Sequence, residues 1–374
     1  MTETTHKTII NTRTLSKEWI IFGVLGVLLV LAAPLLLTGF QLNLLGKFLA
    51  FAILALGMDL IWGYTGMLSL GHGVFFGLGA YAMAMHLKLS VGDAGNFGTN
   101  LPDFMFWNGI TELPWFWQPF SNFGFTVLMV LVIPGLLAFL LGLLTFRNRI
   151  KGVYFALLTQ ALAIVFVTLF IGQQGYTGGT NGITDFRTLL GFDLNAESTQ
   201  KGLYVVTALC LGASYALCRW ITRSGFGKVL AAIRDDEVRV RFAGYDPSAF
   251  KVLVFTLSGC LAGLAGALFV PQVGIVSPSM MGIVPSIEIV TWVAVGGRGT
   301  LAGAVLGAVL VNAAKSFLSE SFPDFWLYLQ GALFLGVVLF LPNGIVGLFQ
   351  QLMTKKTALE PSEELVVREE GVAK

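Results

Sequence analysis

Polar side chains interrupt the long apolar stretches of this sequence at only a few positions, and Glu288 places a carboxylate near the middle of one of them. An ionisable group in an apolar membrane environment is costly, so it usually contacts a solute, an ion or a partner charge. Thr291 and Trp292 follow Glu288 at helical spacing, which would place all three on one helix face. Lys315, in the next apolar stretch, is the candidate partner charge. The sequence therefore predicts either a solute contact or a structural ion pair at Glu288.

Further polar residues could form hydrogen bonds to a solute that crosses a membrane. Gln160 and Asn312 lie within apolar stretches, and Asn181 lies in a polar segment rich in glycine. His72 stands between two glycines and is interpreted as a hydrogen-bonded packing residue. The predicted solute pathway consists of Glu288, Thr291, Trp292, Gln160, Asn312 and Asn181.

Residue types needed for metal, redox or phosphate chemistry are scattered or missing. The cysteines and histidines are Cys210, Cys218, Cys260, His6, His72 and His86, with no C-x-x-C spacing. A disulfide framework, a metal site and haem are therefore not expected. The sequence contains no G-x-x-x-x-G-K-[ST] phosphate loop, so the chain is not expected to bind ATP itself, and no cofactor is predicted. A membrane enzyme is disfavoured because the apolar stretches hold no paired His, Asp and Glu cluster.

The elements that carry these residues are predicted to be transmembrane helices. Only 12% of the 374 residues are charged and 55% are hydrophobic, whereas soluble proteins carry about 25% charged residues. A span requires roughly 20 apolar residues. The candidate spans are 19–38, 44–62, 67–87, 124–146, 153–171, 203–221, 252–270, 279–295, 301–318 and 326–348. The sequence therefore predicts an all-α polytopic transmembrane bundle of about ten spans, and a net charge of +2 gives no argument for nucleic-acid binding.

The eighth span, 279–295, contains Pro285 and Glu288, so a broken or re-entrant segment is an alternative to a full crossing. Most of the 23 Lys and Arg residues fall in segments that face the cytoplasm if the amino terminus is inside. We therefore expect a multi-pass protein of the bacterial inner (plasma) membrane with both termini cytoplasmic. The predicted regions are a cytoplasmic tail at 1–18, a transmembrane domain at 19–348 with external loops at 88–123 and 172–202, and a cytoplasmic, disordered tail at 349–374.

A charged loop at 222–251 lies on the predicted cytoplasmic side and contains a predicted helix at 227–244, with no glycine or proline inside it. Such a short helix is marginal in water unless it docks on another surface. We therefore predict that it contacts a partner. The residues assigned to this coupling contact are Gly227, Val229, Ala231, Ala232, Ile233, Asp235, Glu237, Ala243 and Gly244.

Glycines four residues apart recur within the apolar stretches. Such pairs let helix backbones approach closely where lipid provides no hydrophobic drive for association. The glycines assigned to helix packing are Gly73, Gly77, Gly259, Gly263, Gly299, Gly303 and Gly307.

Three segments together resemble the permeases of branched-chain amino acid ABC importers. They are LSLGHGVFFGLGAY at 68–81, the loop at 224–251 with its Ala-Gly-Tyr-Asp, and AVGGRGTLAGAVLG at 294–307. Within that family the chain is most similar to the permease subunits of urea importers, through PSIEIVTW at 285–292 and LPNGIVGLF at 341–349. The resemblance covers about residues 45–350.

This resemblance implies a permease that lies in membrane lipid and pairs with a homologous second permease, two cytoplasmic ATPases that bind the ATP, and an external substrate-binding protein. The loop at 222–251 would then be the segment that couples to an ATPase. The implied function is import of a small polar solute, with urea as the main prediction and a branched-chain amino acid as the alternative. An ion-driven secondary transporter is a third hypothesis, and it would be expected to contain inverted repeats and several membrane-embedded carboxylates.

Overall fold

A computed structural model describes residues 32–90 and 101–321, together with Gly26 and scattered positions between 325 and 348. The predicted tails at 1–18 and 349–374 lie outside the described residues. Most of the first and tenth predicted spans, at 19–38 and 326–348, lies outside them as well.

Helices make up nearly all of the described chain. In chain order they are α1 (Gly39–Thr65), α2 (His72–Leu89), α3 (Asp103–Trp107), α4 (Phe123–Arg147), α5 (Val153–Gly172), α6 (Gln174–Thr177), α7 (Glu197–Arg223), α8 (Gly225–Phe242), α9 (Pro247–Val273), α10 (Ile283–Gly296) and α11 (Leu301–Ser321). Short 3-10 helices occupy Gln118–Ser121, Gly179–Asn181 and Pro278–Met281. The strands β1 (Ile183–Thr184) and β4 (Ile275–Val276) pair antiparallel, as do β2 (Thr188–Leu189) and β3 (Phe192–Asp193).

The long helices form because a chain in lipid must satisfy its backbone hydrogen bonds within each segment. Six of them, α1, α4, α5, α7, α9 and α11, are long and apolar enough to cross a membrane, and α10 is a shorter apolar helix. Each of the eight predicted spans between 44 and 318 overlaps one helix. The all-α prediction is confirmed, with the four two-residue strands as small additions in the connecting segments.

The centre of the bundle is formed by α1, α2 and α9, whose side chains are mostly buried. In contrast, α4, α5 and α7 expose many apolar side chains, as expected of helices that face lipid. Small residues allow the central backbones to touch, because Gly266 of α9 lies against the Phe76 carbonyl of α2 and Gly79 of α2 lies against Gly263.

The predicted packing glycines lie mainly at such contacts. Gly73 and Gly77 face the segment Pro278–Met281, while Gly259 and Gly263 face α4. Gly303 and Gly307 of α11 lie against the backbone of Gly296 in α10. Gly299 differs from the prediction in one respect: it precedes α11 in a turn with φ of 78° and so forms no helical pair with Gly303, although its backbone lies close to Gly63 of α1.

Two helices, α2 and α10, begin inside the bundle rather than at its surface, and each follows a longer helix, α1 or α9. The α1 and α9 helices run antiparallel, because Gly46 near the start of α1 lies beside Gln272 near the end of α9. Each ends at a left-handed glycine, Gly66 or Gly274, and is followed by a non-helical stretch and then by α2 or α10. The segments α1–α2 and α9–α10 are therefore arranged as an inverted pair.

The boundaries of the third and eighth predicted spans require correction. Helix α2 begins at His72 rather than at residue 67, and α10 begins at Ile283 after the 3-10 turn at Pro278–Met281. An apolar pattern does not separate helix from extended apolar chain, which explains both errors. The segment at 279–295 is broken but not re-entrant: it leaves the end of α9 and finishes beside the end of α1, at the opposite side of the bundle.

Substitution of Gly266 by alanine should destabilise the central contact between α2 and α9. A methyl group there would overlap the Phe76 carbonyl and lie 2.8 Å from the Ala80 nitrogen. Overpacking of this kind costs about 1–3 kcal/mol, so we expect a lower melting temperature of the detergent-solubilised protein. Gly212→Ala in α7 is the matched control, since nothing lies within 4 Å of its added methyl group. Equal melting temperatures for the two variants would contradict the close contact.

Candidate functional site

A cavity of about 280 Å³ lies among α1, α2, α9, α10 and α11. Most of its wall is apolar, formed by Phe51, Leu54, Phe76, Phe269, Met280, Pro285, Ile289 and Trp292. The aromatic part is tightly packed, with the Phe51 ring centroid 4.8 Å from that of Trp292 and 5.3 Å from that of Phe269. The polar lining residues are Lys47, Glu288, Asn312, Lys315, Ser316 and Ser319. The cavity therefore combines an apolar wall with a charged group.

Glu288 and Lys315 form an ion pair at this cavity. The Lys315 Nζ donates hydrogen bonds to both carboxylate oxygens of Glu288, at 2.7 and 2.8 Å. Glu288 projects from α10 and Lys315 from α11, and the two helices touch through Gly296 and Gly303. The Glu288 side chain is 14% exposed and that of Lys315 is 35% exposed. The solute contact and the ion pair predicted from the sequence are thus compatible, because the pair itself lines the cavity.

Lys47 of α1 adds a second cation. Its Nζ lies 5.9 Å from the centre of the Phe51 ring. Within the part of the chain that the structure describes, Lys47 forms no ion pair. With two lysines and one glutamate, the lining of the cavity has a formal net positive charge.

The amino-terminal ends of α2 and α10 meet beside the cavity. The Gly73 N–H, at the start of α2, donates to the Ser286 Oγ of α10 at 3.2 Å. His72 is fully buried between Ser69 and Ser258, with nitrogen-to-oxygen distances of 3.3 and 2.8 Å. Helix amino termini carry partial positive charge, and discontinuous helices of transporters point them at anionic groups of substrates. The local field therefore favours an anion.

The predicted pathway residues divide into two groups. Glu288, Trp292 and Asn312 line the cavity. Thr291 is buried and donates to the Ile287 carbonyl of its own helix at 3.0 Å. Gln160 lies on α5 and Asn181 is exposed in the turn at Gly179–Asn181, so neither belongs to the lining.

Three lining residues on α1 were missed by the sequence analysis. Lys47, Phe51 and Leu54 follow each other at intervals of four and three residues and so lie on one face of α1. The signal in the sequence was a lysine followed at helical spacing by two apolar residues, which could have predicted that this face of α1 lines a cavity.

Helix α8 differs from the continuous helix predicted at 227–244. It covers Gly225–Phe242, and Asp236 has non-helical angles, φ −157° and ψ 100°. The Asp236 Oδ1 accepts hydrogen bonds from the backbone N–H groups of Val238 and Arg239. An aspartate side chain that caps the next turn competes with helical continuation, which explains the break.

The coupling residues predicted from the sequence lie on different faces of α8. Gly227 and Ile233 are buried against the bundle, and Val229, Ala231 and Glu237 are half-buried. Ala232, Asp235, Ala243 and Gly244 are exposed. Three exposed apolar side chains were not predicted: Val238, Phe242 and Tyr245. We call the exposed set Ala232, Val238, Phe242 and Tyr245 the coupling surface.

Glu237 anchors the second part of α8 to the bundle. Its carboxylate binds Lys251 of α9 at 2.7 Å, Lys151 of the α4–α5 loop at 3.1 Å and Arg241 at 3.1 Å. Burial alone would raise the pKa of Glu237, but the hydrogen bonds and charges of Lys251 and Lys151 outweigh it and lower the pKa. The Glu237 carboxylate is therefore occupied by contacts within the chain and is not free to contact a partner. We call Glu237 with Lys151, Arg241 and Lys251 the Glu237 hub.

The fold and the site define a class of protein, a multi-pass membrane transport protein with a charged cavity and a polar helix, α8, packed at one end of the bundle. No group of three His, Cys, Asp or Glu side chains that could hold a metal occurs among the described residues. The chain belongs to the family described as "Branched-chain amino acid transport system / permease component", whose profile matches residues 40–338. It is accordingly a transport component and not an enzyme.

Relatives with known names agree with this family. The high-affinity branched-chain amino acid transport system permease protein LivM of Escherichia coli is 25% identical over 370 residues, covering 92% of this chain and 79% of LivM. LivM of Salmonella typhimurium is 25% identical over 361 residues, covering 90% and 77%. The permease protein BraD of Pseudomonas aeruginosa is 25% identical over 311 residues, covering 79% and 91%. No solved structure matches the chain. The resemblance is to branched-chain amino acid permeases and is not specific to urea permeases.

Proposed function

We propose that this chain is the permease subunit of an ATP-driven importer for a branched-chain amino acid. The observation that carries the proposal is the cavity, which places Lys47, Lys315 and Glu288 beside an apolar aromatic wall. The names of the relatives, which are permeases for these amino acids, support the same solute.

The chemistry of an amino acid fits the two parts of this cavity. A carboxylate is attracted by Lys47, by Lys315 and by the amino termini of α2 and α10, and an ammonium group by Glu288. A branched aliphatic side chain gains free energy by leaving water for the wall around Phe51 and Trp292. Urea is uncharged and needs hydrogen-bond acceptors more than fixed cations, so it fits a cavity lined by a net positive charge less well.

Urea remains the second candidate because of one observation. Four of the eight residues in the motif at 285–292, which carries the similarity to urea permeases, line the cavity: Pro285, Glu288, Ile289 and Trp292. The Glu288 carboxylate could accept hydrogen bonds from urea N–H groups. A direct comparison of the two solutes is therefore part of the test.

The proposal includes partners, since the sequence contains no phosphate loop. Two cytoplasmic ATPases would bind ATP and contact the coupling surface, a homologous permease would complete the membrane part, and an external binding protein would deliver the solute. The proposed location is the bacterial inner membrane, with both termini in the cytoplasm. The chain itself needs no cofactor.

Affinity purification of the tagged full chain from its own membranes should retain an ATPase, and vesicles containing this complex should take up leucine when ATP is supplied on the side of the ATPase and the binding protein on the opposite side. We expect the chain purified alone in stringent detergent to hydrolyse no ATP. Labelled leucine and labelled urea, each competed by the other, identify the solute. ATP-dependent uptake of urea with no leucine uptake would select the second candidate. Uptake that requires an ion gradient and ignores ATP would support the secondary transporter instead.

A further inference from the structure

Asp59 is a fully buried carboxylate of α1 that the proposed solute site does not use. Its Oδ1 accepts a hydrogen bond from the Gly299 N–H at 2.7 Å. Its Oδ2 has no hydrogen-bond partner in the described part of the chain. Asp59 therefore connects the end of α1 to the turn between α10 and α11, which we call the α10–α11 turn (297–300).

The backbones at this connection are in direct contact. A Cβ atom on Gly63 would overlap the Asp59 carboxylate and lie 2.6 Å from the Gly299 nitrogen. Gly299 also adopts φ of 78°, a left-handed conformation that favours glycine. The α10–α11 turn therefore has little free space in which to move relative to α1.

The cytoplasmic helix reaches the same place. Arg234 of α8 donates from Nη1 to the Gly63 carbonyl at 2.9 Å. Arg298 of the α10–α11 turn donates from Nε to the Trp62 carbonyl at 3.1 Å, and its guanidinium lies 5.0 Å from the Trp62 ring centre. The Arg234 Nη1 also lies 3.7 Å from the position that a Cβ atom on Gly299 would occupy. The first part of α8, α1 and the turn thus share one polar cluster.

The α10–α11 turn joins the two helices that carry the ion pair of the cavity. Glu288 is on α10, Lys315 is on α11, and the helices are in backbone contact where Gly303 and Gly307 meet Gly296. Because packed helices of this kind move as a unit, a displacement of the turn moves both ends of the ion pair.

We propose that Arg234, Asp59 and Gly299 form the connection through which α8 moves the α10–α11 hairpin and thereby changes the solute cavity. This inference rests on the proposed function as an ATP-driven importer. Arg234 and Asp59 are positioning residues, because neither lines the cavity. The break at Asp236 separates this connection from the Glu237 hub, so α8 holds the bundle at two separate anchors.

The test uses the assembled complex with its ATPases in lipid vesicles, and compares Arg234→Met with Arg234→Lys. For Arg234→Met we expect normal complex yield, ATP hydrolysis within about twofold of wild type, and uptake per ATP lowered about tenfold, a usual size for lost coupling between sites. Arg234→Lys keeps a cationic donor for the Gly63 carbonyl, so it should restore most of the uptake. A purely structural role would instead lower complex yield in Arg234→Met.

A second measurement reports the movement without any solute. Spin labels at Leu310 of α11 and Leu209 of α7, both exposed, should change their separation when a non-hydrolysable ATP analogue binds the ATPases. The change should be absent in Arg234→Met and present in Arg234→Lys. Asp59→Asn keeps an acceptor for Gly299 and should behave like wild type.

The outcomes separate the two proposals. If no ATPase accompanies the wild-type chain, the proposed function fails. If the wild-type complex transports solute while Arg234→Met keeps both full uptake per ATP and the distance change, the connection through Arg234 is wrong.

Discussion

Lys315→Met should lower the amount of folded protein sharply and abolish most ATP-driven uptake. The substitution leaves Glu288, only 14% exposed, without the two hydrogen bonds that its carboxylate receives. Removing one partner of a buried pair costs about 3 kcal/mol or more, and Lys47, the other cation that lines the cavity, makes no direct ion pair with Glu288 that would replace the lost one. Glu288→Gln should cost less, since the more exposed Lys315 ammonium keeps contact with solvent. Yield after size-exclusion chromatography and uptake in vesicles measure the two effects.

The double variant Glu288→Gln/Lys315→Met separates folding from transport. It removes both charges, so we expect yield to recover toward wild type. Uptake should stay low, because the solute has lost a charged contact in the cavity. Lys201→Met is the matched control: its partner Glu197 is 70% exposed, and breaking an exposed pair of this kind changes stability little. Wild-type uptake by the double variant, or by Glu288→Ala, would remove Glu288 from the solute pathway.

The ion pair between Glu288 and Lys315 could be predicted from the sequence because both residues interrupt apolar stretches. Glu288 and Lys315 stand out where nearly every neighbour is apolar, and short connections make α10 and α11 adjacent. Lys47 was less visible, since it lies near the end of a predicted span where lysines commonly reach the membrane surface. Only the packing of α1 against α11 shows that it faces the cavity.

Interruptions of the helices were harder to predict. The pattern at 67–87 is largely apolar, and its period does not reveal that residues 67–71 are non-helical while α2 starts at His72. The break at Asp236 has a local signal, because aspartate is a good helix cap, but the same residue is common on exposed helix faces. Hydrophobic period alone does not choose between these outcomes.

Contacts between segments that are distant in the sequence could not be predicted from the spacing of residues. The hydrogen bond from Gly299 to Asp59 and the one from Arg234 to Gly63 depend on how α1, α8 and the α10–α11 turn meet. Asp59 is the one acidic residue in the second predicted span, and Arg234 begins the charged run Arg-Asp-Asp-Glu of the loop at 222–251, but nothing in their spacing brings the two together. Their joint role follows only from the fold.

Phe242→Asp should separate the permease from the proposed ATPases and reduce uptake to background. Phe242 is 87% exposed at the end of α8, with Val238 and Tyr245 exposed near it. Clustered apolar side chains on a polar helix indicate a protein contact, and an aromatic residue at the centre of an interface contributes about 2 kcal/mol or more. A loss of that size weakens binding about 30-fold, which is enough for the ATPase to dissociate during purification.

Two further variants decide whether this surface transmits force. Val153→Asp changes an exposed apolar residue at the start of α5, near Lys151, outside the coupling surface, and should leave the ATPase bound. Ala232→Trp adds volume to the exposed face of α8 and should keep the protein in the membrane while uncoupling hydrolysis from uptake. Retention of the ATPase by Phe242→Asp would place the docking surface elsewhere, and normal uptake by Ala232→Trp would reduce α8 to a connection between α7 and α9. Because Phe242 lies beyond the break at Asp236 and Arg234 lies before it, loss of docking in Phe242→Asp with intact docking in Arg234→Met would assign binding and transmission to separate parts of one helix.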